Sequence, residues 1–299
     1  MTRKLLLGMV ILLLVTNLTT VAVWINDRAG GTNEDFSIEV DKKNPVATVG
    51  NQEIKYREWT NALESEYGKE ILTTMINKEV VYQLAEEKNI EISNKLIERE
   101  LSLLYTMHGV MSKDEIEKRK AEWTEEITYR LYLEALLTEA VEVPEILIDD
   151  YYEDNQNQYE FVESIQLSHV LVNDKATADR FISELEDGAT FASLAREYSV
   201  DEDSRNAGGY LGFFTADSDY LPSGYYDKAM EMKEHSYSDP FLVGNEVAII
   251  YLHRMLPDVS FTYDELKVQI KRELALEQIE ANISASSLWE ELSIEWIYE

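Results

Sequence analysis

Cysteine is absent from the 299 residues, which excludes disulfides, thiolate nucleophiles, cysteine-built zinc sites and a lipidated N-terminal cysteine together. Histidine is scarce too. The four present, His108, His169, His235 and His253, are scattered without ligand spacing, so no metal is expected. Positive charge is thin: Asp and Glu number 58 against 27 Lys and Arg, for a formal charge of -31. That balance repels phosphate backbones and argues against a nucleic-acid partner, and the acidic surplus reads as solubilising surface. The glycine pair Gly208-Gly209 lacks the phosphate-loop pattern and its following helix, so no nucleotide or other cofactor is expected. No basic cluster lies near residues 210–226, which argues against selection of phosphopeptides.

What is present suffices for real cores. Hydrophobic residues make up 45% and aromatic residues 10% of the chain, and the length favours about two domains. At the N-terminus, Arg3 and Lys4 precede an apolar run over residues 5–25, interrupted only by Gly8, Thr16, Asn17, Thr19 and Thr20. Such a run is long enough to span a bilayer, with the positive flank on the cytoplasmic side and the rest of the chain outside. No small-x-small cleavage pattern follows, so residues 1–26 read as an uncleaved transmembrane signal-anchor rather than a removed signal, and residues 27–44 as a polar linker.

Beyond the linker, Val46, Thr48 and Val49 lead into Gly50-Asn51, as in a short strand closed by a turn. Helical spacing follows over residues 56–67 and 69–88, with Leu72, Ile76, Val80 and Leu84 as one core stripe. Ser93 is placed to cap a helix carrying Leu96, Ile97, Leu101 and Leu104, and Trp123, Ile127 and Leu131 mark a longer one. Pro144 suits a helix's first turn. The period changes to two at Glu163: Ile165, Leu167, His169 and Leu171 share one strand face, and Val170 and Val172 the other. Two helices, a glycine-bearing loop, a strand over residues 211–214, a short helix near 226–233 and a strand over 247–253 give a β-α-α-β-α-β order. A helix from about residue 262 to 288 then precedes an alternating segment, Leu292, Ile294, Trp296 and Tyr298, which reads as a strand seeking the unpaired one at Ala47 to Val49.

Four ordered blocks carry a resemblance. Ser168-His169-Val170-Leu171-Val172, Phe191-Ala192-Ser193-Leu194-Ala195 with Tyr198-Ser199, Gly208-Gly209-Tyr210-Leu211-Gly212-Phe213-Phe214, and Tyr237-Ser238-Asp239-Pro240-Phe241 resemble the signatures of parvulin-type peptidyl-prolyl cis-trans isomerases. The flanking halves, with Tyr151-Tyr152, resemble the helical chaperone domain of PrsA-type extracytoplasmic foldases. The resemblance implies an α+β fold in which a parvulin-like domain, residues 161–256, is inserted in a mainly helical domain built from residues 45–160 and 257–299. It implies isomerisation of proline-containing segments in unfolded or partly folded exported polypeptides near the membrane, with no cofactor.

The same resemblance assigns His169 and Asp201 to the catalytic centre. It sets Leu221 and either Tyr225 or Tyr226 in the proline pocket, to which Phe213 or Phe214 adds a wall; plain core packing is the competing reading for Phe213. Three departures stand out. The second histidine of such sites falls at Ala248 and its supporting hydroxyl at Val243, and Tyr210 replaces an acidic residue. His253, five residues further along a strand, faces the wrong way to substitute. The alternative is therefore a non-catalytic holdase that grips unfolded chains through its helical cradle and a degenerate parvulin domain.

Overall fold

A computed structural model describes residues 41–279 and 284–298, so the apolar run over residues 5–25 lies outside the described residues. Among the described residues no helix is long and apolar enough to cross a membrane. The chain divides into two compact units, residues 1–72 and 73–299.

In the first unit, β1 (Pro45–Val49) and β2 (Gln52–Lys55) form an antiparallel hairpin with Val49 opposite Gln52. Gly50, at φ +61, supplies the left-handed turn. The chain then enters α1 (Tyr56–Glu87), one continuous helix of 32 residues.

The helices of the second unit bury their apolar stripes against one another. These are α2 (Asn94–Thr106), α3 (Lys113–Thr138) and α4 (Glu145–Asn155), joined late in the chain by α9 (Tyr263–Gln278). Ser93 occupies the N-cap of α2 without a side-chain bond, whereas Ser112 caps α3 by accepting from Glu115 N–H, and Pro144 lies just before α4 rather than within it. Leu101 and Tyr105 of α2 pack on Trp123, Ile127 and Leu131 of α3, while Leu96, Ile148, Leu266 and Ile270 join α2, α4 and α9. A capping box of Thr262 and Glu265 starts α9.

Phe161 and Val259 pair through two backbone hydrogen bonds of 2.8 Å, closing off the intervening segment. That segment forms an antiparallel sheet in the order β4-β3-β7-β5, with β6 also on β7. Its strands are β3 (Ser164–Val172), β4 (Tyr210–Phe214), β5 (Ser236–Tyr237), β6 (Phe241–Val243) and β7 (Glu246–Leu256). On one face, Val170, Val172, Val247 and Ile249 pack on α5 (Lys175–Glu186) and α6 (Phe191–Tyr198) through Phe181, Phe191 and Leu194. On the other, Ile165, Leu167, Ala248, Ile250 and Leu252 pack on α8 (Tyr225–Met230) through Tyr225 and Ala229. Each fully buried aliphatic or aromatic side chain stabilises these layers by about 1.5–3 kcal/mol. The predicted strand and helix order holds, with α7 (Glu202–Arg205), β5 and β6 added to it.

The tail corrects one expectation. No strand forms over residues 292–298; Ala285–Glu291 is a 3-10 helix, and β1 already has β2 as its partner. The alternation is nonetheless real as burial: Leu292, Ile294, Trp296 and Tyr298 are half-buried, and the residues between them are exposed. Ala285 and Leu288 pack on Val80, Val81 and Leu84 of α1 and Leu136 of α3, and Trp289 Nε1 donates to Asn77 Oδ1 at 2.7 Å. Side-chain packing on helices satisfies the apolar positions, so no ladder is needed.

Candidate functional site

His169 occupies the sixth position of β3, on the face toward α8. Three backbone devices gather groups around it. Val200 N–H donates to the Leu171 carbonyl at 2.8 Å and Leu171 N–H to Ser199 Oγ at 3.3 Å, so the loop after α6 docks on β3 beside the histidine. Asp201 follows at once as the N-cap of α7. On the return, His169 N–H donates to the Gly209 carbonyl at 2.8 Å. Gly209 sits at φ +81, and a Cβ there would lie 2.0 Å from the His169 carbonyl oxygen, so this close approach admits no side chain.

Both imidazole nitrogens are engaged. Nδ1 lies 2.9 Å from Tyr225 Oη; Nε2 lies 2.9 Å from Asp201 Oδ2 and 3.0 Å from Ser204 Oγ. Ser204 donates both its N–H, at 3.1 Å, and its hydroxyl to the same carboxylate oxygen. Burial alone would raise the Asp201 pKa, but the bonds from Ser204 and His169 outweigh it and hold the carboxyl below its ordinary value. Burial pushes the Tyr225 phenol well above its ordinary value, with the Asp201 charge adding to it, so the hydroxyl keeps its proton.

The expected residues divide into three groups. His169 and Asp201 come together, but their exposure differs: the imidazole is 4% and the carboxylate 21% accessible. The imidazole is therefore enclosed in this arrangement and lies behind the Asp201 carboxylate. Tyr225 is fully buried, so it underpins the site instead of lining a pocket. Leu221, Phe214 and Tyr226 remain half-buried on the same apolar layer. Phe214 pairs with Ile165, four residues along β3 from His169, which separates the two by about 13 Å at roughly 3.3 Å per residue. Tyr226 Oη donates to Glu163 Oε1 at 2.7 Å, which ties it to that end of the sheet. Phe213 is turned away altogether and packs on the Leu101, Tyr105 and Trp123 cluster. This removes it from the pocket, since neighbours on a strand face opposite ways.

Sequence reasoning missed Ser204, Leu171 and Phe241. The signal for Ser204 was available: an Asp three residues before a Ser, ahead of a glycine pair, is an N-cap pattern. Phe241 contacts Tyr225 edge-on, with ring centroids 5.5 Å apart, and pairs with Ala248. Ala248 also faces Leu171 and is fully buried, so the place of the second histidine is filled by packed aliphatic and aromatic carbon. His253 lies across the sheet, with Nε2 2.8 Å from Ser168 Oγ and its ring beside those of Tyr251 and Tyr210. Among the described residues, no group of three or more His, Asp or Glu gathers as a metal ion would require.

Residues 137–238 match the sequence profile of the PPIC-type PPIase domain. YacD of Bacillus subtilis (strain 168), named provisionally as a peptidyl-prolyl cis-trans isomerase, is 35% identical over 254 residues, 85% of each chain. The foldase protein PrsA of Halalkalibacterium halodurans is 29% identical over 273 residues, 87% of this chain and 76% of that one. Among solved structures, PrsA from Bacillus subtilis covers 84% of this chain and 91% of its own at 24% identity, with a TM-score of 0.29. With the profile spanning His169, Asp201 and Tyr225, and the YacD relative 35% identical over 85% of each chain, the chain belongs to the PrsA-like family of parvulin-type peptidyl-prolyl cis-trans isomerases.

Proposed function

We propose that this chain isomerises prolyl bonds in exported, partly folded polypeptides at the surface formed by Asp201 and the apolar layer beside it. The observation that carries the reading is the joined set of an ionised, partly exposed carboxylate and a buried imidazole behind it, on the sheet face whose apolar layer includes Leu171, Leu221 and Phe241. A planar imide carries separated charge, oxygen negative and nitrogen positive, which water solvates; a twisted one has lost that resonance. Moving the bond from water onto apolar side chains therefore raises the planar ground states more than the twisted state. The barrier to be lowered is about 18–20 kcal/mol, and no covalent step or cofactor is needed.

Three features complete the proposal. Residues 161–256 act as the isomerase domain, inserted where Phe161 and Val259 pair, and the helices on either side form a domain that holds unfolded chain. The packing of Ala285 and Leu288 on α1 fits a domain made from both chain ends. The apolar run over residues 5–25 serves as a membrane anchor that keeps the rest outside the cytoplasm.

A protease-coupled assay on a proline-containing tetrapeptide, run with the full chain in detergent, tests the activity. Wild type accelerates isomerisation. Asp201→Ala lowers kcat/KM by roughly a hundredfold or more, as removal of a positioned polar group does, and His169→Ala by a similar factor. An uncatalysed rate with wild type would sink the reading.

A further inference from the structure

Among the described residues, His169 is the one histidine of the four with polar side-chain atoms at both ring nitrogens. Which nitrogen holds the proton follows from where its neighbours' protons go. On the Nε2 side, Asp201 is ionised and can only accept, and the Ser204 hydroxyl proton is committed to Asp201. Nε2 is thus surrounded by acceptors. On the Nδ1 side stands one group, the Tyr225 hydroxyl, which is fully buried and has no second hydrogen bond. If Nδ1 carried a proton, the phenol oxygen would accept it, and the phenol's own proton would be stranded without a partner at a cost of about 1–3 kcal/mol.

We propose that Tyr225 is a positioning residue for the reaction: its hydroxyl donates to His169 Nδ1, fixes the ring as the Nε2–H tautomer, and so aims a donor at Asp201. This rests on the isomerase reading given above and adds a residue to it. It also accounts for a site that works with Ala248 packed against Leu171 and Phe241. A tyrosine arriving from α8 supplies the polar partner, and β7 need not provide one. Ser204 and Tyr225 together leave the imidazole one protonation pattern that satisfies every atom, so the Asp201 carboxylate is held at the surface by a fixed donor.

The test is two-dimensional 15N NMR of the full chain with labelled histidine, the His169 signals assigned through its loss in His169→Gln, alongside kinetics of Tyr225→Phe. In wild type, Nδ1 is expected to be the unprotonated, pyridine-type nitrogen and Nε2 the protonated one. Tyr225→Phe is expected to mix the two tautomers and to lower kcat roughly ten- to hundredfold, as loss of an orienting bond to a histidine does, with KM changed less than twofold. A wild-type spectrum with the proton on Nδ1 overturns the proposal without any variant. So does a folded Tyr225→Phe protein that keeps both the tautomer and kcat. Wild type without turnover would instead sink the isomerase reading, and the spectrum would still report on Tyr225.

Discussion

At the scale of single residues, two positions outside the proposed chemistry bear on stability. Gly209 touches the carbonyl of His169 at a φ that side chains avoid. Gly209→Ala combines backbone strain with a clash against main chain that is itself fixed by a hydrogen bond, so a loss of about 2 kcal/mol or more is expected. Urea unfolding measures it, and an unchanged midpoint would contradict the geometry. His253 is the second. Burial pushes its pKa down to about 4, with His235 adding to the effect. Its folded value lies below its unfolded value of about 6.5, so the unfolded chain binds the proton first. Stability from this group is full above pH 6.5 and falls as pH drops from there toward 4, by no more than about 3 kcal/mol. His253→Gln is expected to flatten that part of the urea-midpoint profile relative to wild type; parallel profiles would refute it. His169 could be recognised in the sequence because it sits in a five-residue block on a strand. Ser204 was legible only as a local capping partner of Asp201, and Phe241 was not, because it reaches the site through a register set elsewhere.

Elements explain why the site assembles. The four-residue α7 has little stability of its own, since helices so short are not formed by propensity. It exists because Asp201 caps it and Ser204 closes back on Asp201, and the same bonds lower the carboxylate's pKa. Capping and the proposed catalysis therefore share one side chain. Asp201→Asn keeps a capping side chain and is expected to cost less than about 1 kcal/mol in urea unfolding, while losing most of the turnover. An Asn variant with full activity would show that the charge is not used. At this scale β3 was legible, because apolar residues for both faces alternate in residues 164–172, and the strand is buried along nearly its whole length. The β1–β2 hairpin was half legible: Gly50-Asn51 marked the turn, but Gln52 to Lys55 are all exposed and offered no apolar alternation.

For the whole molecule, the second unit depends on its last residues. Ala285 and Leu288 fill the contact between α1 and α3, where Val80, Val81, Leu84 and Leu136 would otherwise face water. Leu288→Ala is expected to cost about 2–5 kcal/mol, seen as a lowered Tm, and a shift within error would mean that the tail is an appendage. The sequence by itself determined the apolar stripes of the main helices and of β3, the strand and helix order of residues 164–256 apart from α7, β5 and β6, and the histidine and aspartate proposed for the site. Periodicity, glycine turns and local capping are properties of neighbours in the chain. Only the tertiary structure decided that the tail docks as packed side chains without a strand, that Phe213 faces the helices, and that a buried tyrosine stands at Nδ1. Those outcomes depend on which distant surfaces meet, and contact between residues 56 positions apart is set by the register of packed elements, which no local pattern encodes.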